Sequence, residues 1–415
     1  MSIAVLLLAA VVLLGLEASG AGQGGRKQVS RVPQGVVVVV AALVVALLSP
    51  GPVSLTVAGA LIAFALIEGS ALLGERGALA ALLAAGTLQL QASPSPAAVL
   101  AWTALWSVVT AGLSMRVTRG SAATTAPHAG AQAEAATKAV VLGMMALMVG
   151  GLGIVVAGMG SVAGAHACGF VSVALMMGIP PLQGMRVDVF QGATPAAMAL
   201  SAPLALVALG PALSGLVAPL QAHAAFAFDV VIAVGLLGLP LVALAQVSLR
   251  RLLGVLAVQQ GTLPLVAAHL GVDPTAAALA GALGALALAM GVASLPVLSS
   301  PPTTWEDASG WGRRHPWRCG LLIFAAAQAC GLPPTFGFAL RQALAQAAPP
   351  WLSAALMSGI ALSSLPVVRL ALFLFGKQLR HVPAEKPGME TVLGLGLVVG
   401  VAFVIGLFYA RLFGT

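Results

Sequence analysis

Charge is what this chain has least of. Only 7% of its 415 residues are Asp, Glu, Lys or Arg, against about a quarter in a soluble globular protein, which excludes a soluble enzyme with its own cofactor domain. Aromatic residues are scarce too, at 5% with a single Tyr, so the stacking platforms of single-strand nucleic-acid binders are missing. The three cysteines, Cys168, Cys319 and Cys330, lie in or beside apolar runs without a Cys-x-x-Cys spacing. They outline neither a disulfide framework nor a metal or iron-sulfur site and read as small core residues.

What remains is apolar, with 60% of residues hydrophobic. A helix needs about 20 apolar residues to cross a hydrocarbon layer of about 30 Å. Apolar runs and their breakers divide the chain into fourteen candidate spans. They begin near Ile3, Gly35, Val53, Ala78, Ala97, Ala139, Val162, Pro195, Ala224, Leu249, Ala276, Cys319, Pro350 and Glu390. The fold class expected is all-α, a polytopic membrane protein forming one domain over residues 1–415. The segment from Met1 to Leu16 lacks the positive n-region of a secretory signal and is expected to stay as a first anchor.

The net charge of +8 would raise nucleic-acid binding in a soluble protein; here it reports topology. Lys and Arg concentrate in cytoplasmic loops. Assigned to the connections between spans, all but Arg341, Arg369 and Arg411 fall in odd-numbered ones, among them Arg26, Lys27, Arg31, Arg76, Arg186, Arg250 and Arg251. Odd connections then face the cytoplasm and both termini face outward, as expected of a protein of the bacterial inner membrane. The longer connections, Arg116 to Lys138 and Ser299 to Arg318, read as flexible loops.

An internal echo is the most informative signal. Gly178-Ile-Pro-Pro-Leu-Gln-Gly-Met185 in the seventh span returns as Gly331-Leu-Pro-Pro-Thr-Phe-Gly-Phe338 in the twelfth. Five spans separate them, an odd number, so the copies cross in opposite directions, as inverted-topology repeats do. Residues 1–75 then hold three leading helices, 76–220 the first five-helix repeat, 221–380 the second, and 388–415 the last helix. Pro180-Pro181 and Pro333-Pro334 remove backbone donors and clash with the preceding turn, so helices seven and twelve should break there and free carbonyls inside the membrane.

Four stretches carry a resemblance. The twelfth-span motif just quoted, the run from Pro181 through Asp188 to Pro195, Glu134-Ala-Ala-Thr-Lys138, and Ser248-Leu-Arg-Arg-Leu-Leu-Gly254 are similar to those of the antiporter-like membrane subunits of respiratory complex I. The nearest in pattern is the N-type subunit of this NADH:quinone oxidoreductase, related to subunits of membrane-bound hydrogenases and multisubunit cation/proton antiporters. The resemblance implies proton translocation in a respiratory chain along a midplane row of charged residues. It also implies other membrane subunits as partners, flavin, iron-sulfur or nickel-iron centres in those partners, quinone bound by neighbours, and surrounding lipid. No cofactor or metal is expected in this chain, and no nucleic-acid partner.

Carried over position by position, the row is nearly gone. The family's helix-five glutamate falls at Ala104, the helix-seven lysine at Met176 and the helix-eight lysine at Ala205. The helix-ten histidine becomes Gln259 or Gln260, and the helix-twelve lysine becomes Arg341. Ala and Met bind no proton and arginine does not release one.

Compensating acids are few. Glu68 is placed deep in helix three, and Asp229 in helix nine, with His223 one to two turns earlier. A charge at mid-membrane costs roughly 2.5–3.5 kcal/mol on insertion scales, so each acid needs a partner, water or a proton. Either they reroute protons or touch a neighbouring subunit, or they are acids near an interface or neutral and hydrogen-bonded. His166 and His269 lie near helix ends and read as interfacial. Arg341 either anchors a broken helix through its freed carbonyls or meets a lipid headgroup. Arg369 pairs with an acid or snorkels to the surface, and Arg250 and Arg251 read as topology determinants. The glycine pairs Gly151-Leu-Gly153 and Gly158-Met-Gly160 serve close helix packing rather than dinucleotide binding. Three functions remain open: a membrane subunit of a redox-driven complex, a scaffold subunit without proton movement, and a stand-alone ion transporter.

Overall fold

The computed structural model describes residues 2–21, 32–49, 51–68, 73–115, 126–295, 298, 305–376, 392–401 and 403–404. The expected start of the last span at Glu390, and Arg26, Lys27, Arg31, Arg116, Arg119 and Lys377, lie outside the described residues.

Among those residues the chain is helical and contains no strand. The first half holds α1 (Ser2–Ala21), α2 (Val32–Leu48), α3 (Pro52–Glu68), α4 (Leu73–Ala92), α5 (Pro96–Ser114), α6 (Ala126–Gly158), α7 (Val162–Met177), α8 (Gly184–Gly192) and α9 (Pro195–Leu209). Next come α10 (Leu213–Ala233), α11 (Leu239–Leu244), α12 (Leu249–Gln259), α13 (Thr262–His269) and α14 (Thr275–Ser294). Two short turns, α15 (Trp305–Ala308) and α16 (Trp311–Arg314), precede α17 (Pro316–Cys330), α18 (Phe336–Ala347) and α19 (Pro350–Leu374); α20 is Val392–Val401. Six of these rods are long and apolar enough to cross a membrane, and six shorter apolar helices accompany them.

Helices are the form in which such an apolar chain satisfies its own backbone, and their starts are written in the sequence. Ser95, Ser161, Thr194, Ser248 and Thr335 each accept a backbone N–H of the first turn through their side chain, with Pro following Ser95 and Thr194 where a missing N–H costs nothing.

Burial sorts the rods into layers. The α12–α13 and α14 segments are each 94% buried, whereas only 28% of the α6 window is. Helix α14 is almost pure Ala, Gly and Leu, and its small residues let α3, α9 and α17 pack around it at short range. Met144, Met148 and Ile154 on α6 are exposed, the apolar exterior of a protein whose solvent is lipid.

Three expectations are corrected. Helix α6 begins at Ala126 because the Ala-rich stretch before Lys138, read as loop, is a strong helix former braced by an i,i+4 pair, Glu134–Lys138 at 2.6 Å. Ala224, expected to open the ninth span, is instead a kink inside α10 (φ −134°), which starts eleven positions earlier at Leu213; a π-helical turn, Val234–Gly238, then leads into α11. The connection from Ser299 to Arg318 carries the short helices α15 and α16 and the start of α17 rather than loop throughout.

Candidate functional site

The two Pro-Pro motifs fold alike. Helix α7 ends at Gly178, left-handed at φ 74° and ψ 32°, whose N–H returns to the carbonyls of Ala174 and Leu175, while Ile179 N–H reaches Ala174 O at 2.9 Å. Helix α17 ends the same way at Gly331, φ 69° and ψ 40°, its N–H on Ala327 O and Gln328 O and Leu332 N–H on Ala327 O at 2.9 Å. This 6→1 closure is the Schellman arrangement, and glycine is the residue that adopts it without strain. A cis Pro180-Pro181 or Pro333-Pro334 bond follows, and the chain re-enters a helix at Gly184 or Phe336. Pro180 is buried, while Pro181, Pro333 and Pro334 are exposed.

A buried arginine lies over each glycine. A Cβ on Gly331 would stand 2.9 Å from Arg341 Cδ, and one on Gly178 would stand 3.2 Å from Arg186 Cβ. Arg341, 1% exposed, donates through Nη1 to Cys330 O and through Nη2 to Ala329 O at 3.4 Å. Those are C-terminal carbonyls of α17, where helix-dipole attraction favours a cation. Of the two roles left open for Arg341, this geometry is that of the anchor on freed carbonyls. Gln260, one of the two glutamines at the family's histidine position, donates to the same Ala329 O at 2.6 Å, and Gln259 donates to Ser363 Oγ at 3.1 Å.

At the first break, Arg186 lies 4.7 Å over the Trp106 ring and its Nη2 reaches Ser201 O at 3.4 Å, the carbonyl that also accepts Trp106 Nε1–H at 2.9 Å. Arg250 is fully buried, donating to Ala193 O. Arg186 and Arg250, assigned by sequence to connections between spans, turn their side chains inward toward carbonyls, a depth that counting charges per connection does not give. Their neighbours do face outward. Asp188 is shared by Lys138 at 2.7 Å and Arg251 at 3.2 Å, tying α6, α8 and α12 together.

The relay positions themselves are apolar. Met176 and Ala205 are completely buried, and Ala104 is partly buried. A guanidinium keeps its proton at any physiological pH, and amides and thioethers have none to exchange. Arg341 here holds a helix end together, and Ala104, Met176 and Ala205 carry no titratable group.

The acids lie elsewhere. Glu68 is the last residue of α3 rather than deep within it, and pairs with Arg76 at 2.8 Å. Arg76 also donates to Leu113 O at 2.5 Å and Thr194 Oγ1 at 3.3 Å, so the pair clamps α3, α4, α5 and the start of α9. Asp229 meets His269 at 3.0 Å, not the exposed His223, and Gln221 Nε2 donates to His269 O. No sequence spacing signals this partner, because α10 and α13 approach only in the tertiary structure. Among the described residues Arg369 meets no acid: it stacks 4.4 Å over Trp305 and donates to Leu244 O.

No family model matches the sequence, and no curated protein matches it significantly. Solved structures do share its fold. A chain of respiratory complex I from Thermus thermophilus superposes with a TM-score of 0.76 at 19% identity, covering 99% of this chain and 98% of that one. A chain of the Mrp complex of a Dietzia species gives 0.79 at 15%, covering 99% and 94%. A chain of the membrane-bound sulfane sulfur reductase, an archaeal respiratory membrane complex, gives 0.78 at 15%, covering 99% and 94%. From end to end, the chain has the fold of membrane subunits found in respiratory and Mrp complexes.

Proposed function

We propose that this chain is an antiporter-like membrane subunit of a multisubunit redox-driven complex, of the complex I or membrane-hydrogenase kind, whose own midplane row carries no protons. In this reading it crosses a bacterial inner membrane fourteen times, with residues 76–220 and 221–380 as inverted repeats and both termini on the non-cytoplasmic side. Electron carriers (flavin, iron-sulfur or nickel-iron) and quinone belong to partner subunits, and the outer helices meet those partners and lipid.

One observation carries the reading: the superposition covers nearly the whole of this chain and of each of the three others, which supports a subunit of this kind, and the positions onto which the resemblance carries the relay hold Ala104, Met176 and Ala205. A proton row needs neighbouring groups that change charge within the membrane. Here Met176 and Ala205 are sealed core and Arg341 is committed to Cys330 and Ala329. What the breaks retain is mechanical. Two interrupted helices, the second latched by the Arg341 guanidinium and the first packed under the Arg186 side chain, supply a rigid frame against which neighbouring subunits pack.

Membership in such an assembly is tested by isolating the tagged full chain from gently solubilised native membranes. Mass spectrometry should find stoichiometric membrane subunits together with a flavin, iron-sulfur or nickel subunit. Recovery of the chain alone, with ion transport after reconstitution by itself, would establish the stand-alone transporter instead.

A further inference from the structure

Between α8, α9 and α12 lies a cavity of about 20 Å³, lined by Arg186 and Ser201 and otherwise by apolar side chains such as Met177, Phe190, Leu206 and Val258. That is room for one particle the size of a water molecule or halide. Arg186 is 6% exposed and Ser201 5%, so both belong to a built interior rather than to a surface cluster.

The charge of Arg186 is unbalanced there. Among the described residues it meets no carboxylate. The one acid of its own helix, Asp188, lies two residues on, on the opposite side of the helix, and is already held by Lys138 and Arg251. The Trp106 ring covers one face of the guanidinium, and one N–H reaches Ser201 O; its other donors meet no protein acceptor. The Ser201 carbonyl accepts from Trp106 and Arg186, and Ser201 lines the cavity beside Arg186. A guanidinium and a serine thus border one small space in a low-dielectric wall, where a lone buried cation is costly and a counter-charge strongly favoured. Arg250 is a second buried cation that meets no carboxylate among the described residues.

We propose that this cavity binds a small monovalent anion of halide size, held by the Arg186 guanidinium and the Ser201 hydroxyl. The anion supplies the negative charge that the protein itself withholds from this layer. The small volume favours a halide over sulfate or phosphate, and the buried guanidinium favours an anion over a cation. The site does not depend on which complex the chain joins.

The test uses the full chain in detergent micelles. Thermal unfolding is followed in sodium chloride, bromide, sulfate and gluconate at matched ionic strength, and chloride exchange is followed by ³⁵Cl line broadening. Chloride and bromide should raise the midpoint saturably, by about 2 °C over the titration, with bromide displacing the broadened chloride signal; gluconate and sulfate should do neither. Arg186→Gln should abolish the halide response, and Ser201→Ala, which preserves the helix, should weaken apparent affinity about tenfold, the loss of one hydrogen bond to a charged partner. If Arg186→Gln does not accumulate folded, the Ser201→Ala titration and the line broadening decide alone. A halide response equal to that of gluconate, or one undiminished by Ser201→Ala, overturns the site.

Discussion

Replacing Gly143 by Ala should destabilise the full chain by about 3 kcal/mol, the upper part of the range for overpacking a closed interface. Gly143 on α6 lies against Ser107 on α5, and a Cβ there would stand 1.5 Å from Ser107 Oγ and 2.5 Å from Ser107 Cβ. The hydroxyl is held by its bond to Thr103 O at 2.7 Å, and turning it aside leaves the Cβ overlap in place. The helices must therefore separate. Small residues are what allow helices to approach closely in a membrane, where apolar burial alone does not drive them together. Reversible unfolding in mixed micelles measures the loss. Adding Ser107→Gly should recover most of it, giving a coupling of about 2 kcal/mol in a double-mutant cycle; an effect of Gly143→Ala below about 1 kcal/mol would mean that α5 and α6 do not meet here.

Gly331→Ala should cost about 2–4 kcal/mol, from two separate causes. The left-handed backbone at φ 69° carries a penalty of roughly 1–2 kcal/mol for a residue with a Cβ. That Cβ would also press on Arg341 at 2.9–3.1 Å from Cδ, Nε and Cζ, moving the guanidinium off the Cys330 carbonyl, and a buried carbonyl left without a donor costs about 1–3 kcal/mol. Gly178→Ala should behave similarly, with Val258 Cγ1 at 2.8 Å as the obstacle. Gly320 provides the contrast. It sits in the same α17 as the Gly331 cap, is exposed, and has open space around its Cα, so Gly320→Ala should be neutral or slightly stabilising through helix propensity. Equal losses at Gly320 and Gly331 would contradict the capping geometry.

The helix breaks were legible because proline and glycine act locally: Gly-x-Pro-Pro ends a helix wherever it occurs, and both copies do so at the same register. The apolar rods were legible for a similar reason, since composition over some twenty residues integrates out local detail. Depth was not legible. Arg186 and Arg250 stand beside other polar residues in the sequence and look like loop charges; their burial depends on carbonyls of Ala193 and Ser201, which only α9 brings to them. Glu68, an acid inside an apolar run, has a buried side chain and meets Arg76, a partner that only the approach of α4 supplies. Asp229 has His223 one to two turns earlier in sequence, whereas helical packing delivers His269 from α13 as its partner. Local chemistry set the elements, and tertiary approach chose the partners.

The functional reading rests on the proposal that the proton row is lost, and Glu68 and Asp229 are the candidate acids for a rerouted path. The most direct measurement is the number of protons translocated per electron pair by the intact complex in native membrane vesicles. It is compared between the wild-type chain and one carrying Glu68→Gln and Asp229→Asn, with subunit content verified in both. The account predicts the same stoichiometry for the two. A lower stoichiometry in the substituted complex, with assembly and electron transfer unchanged, would show that protons do pass through this chain.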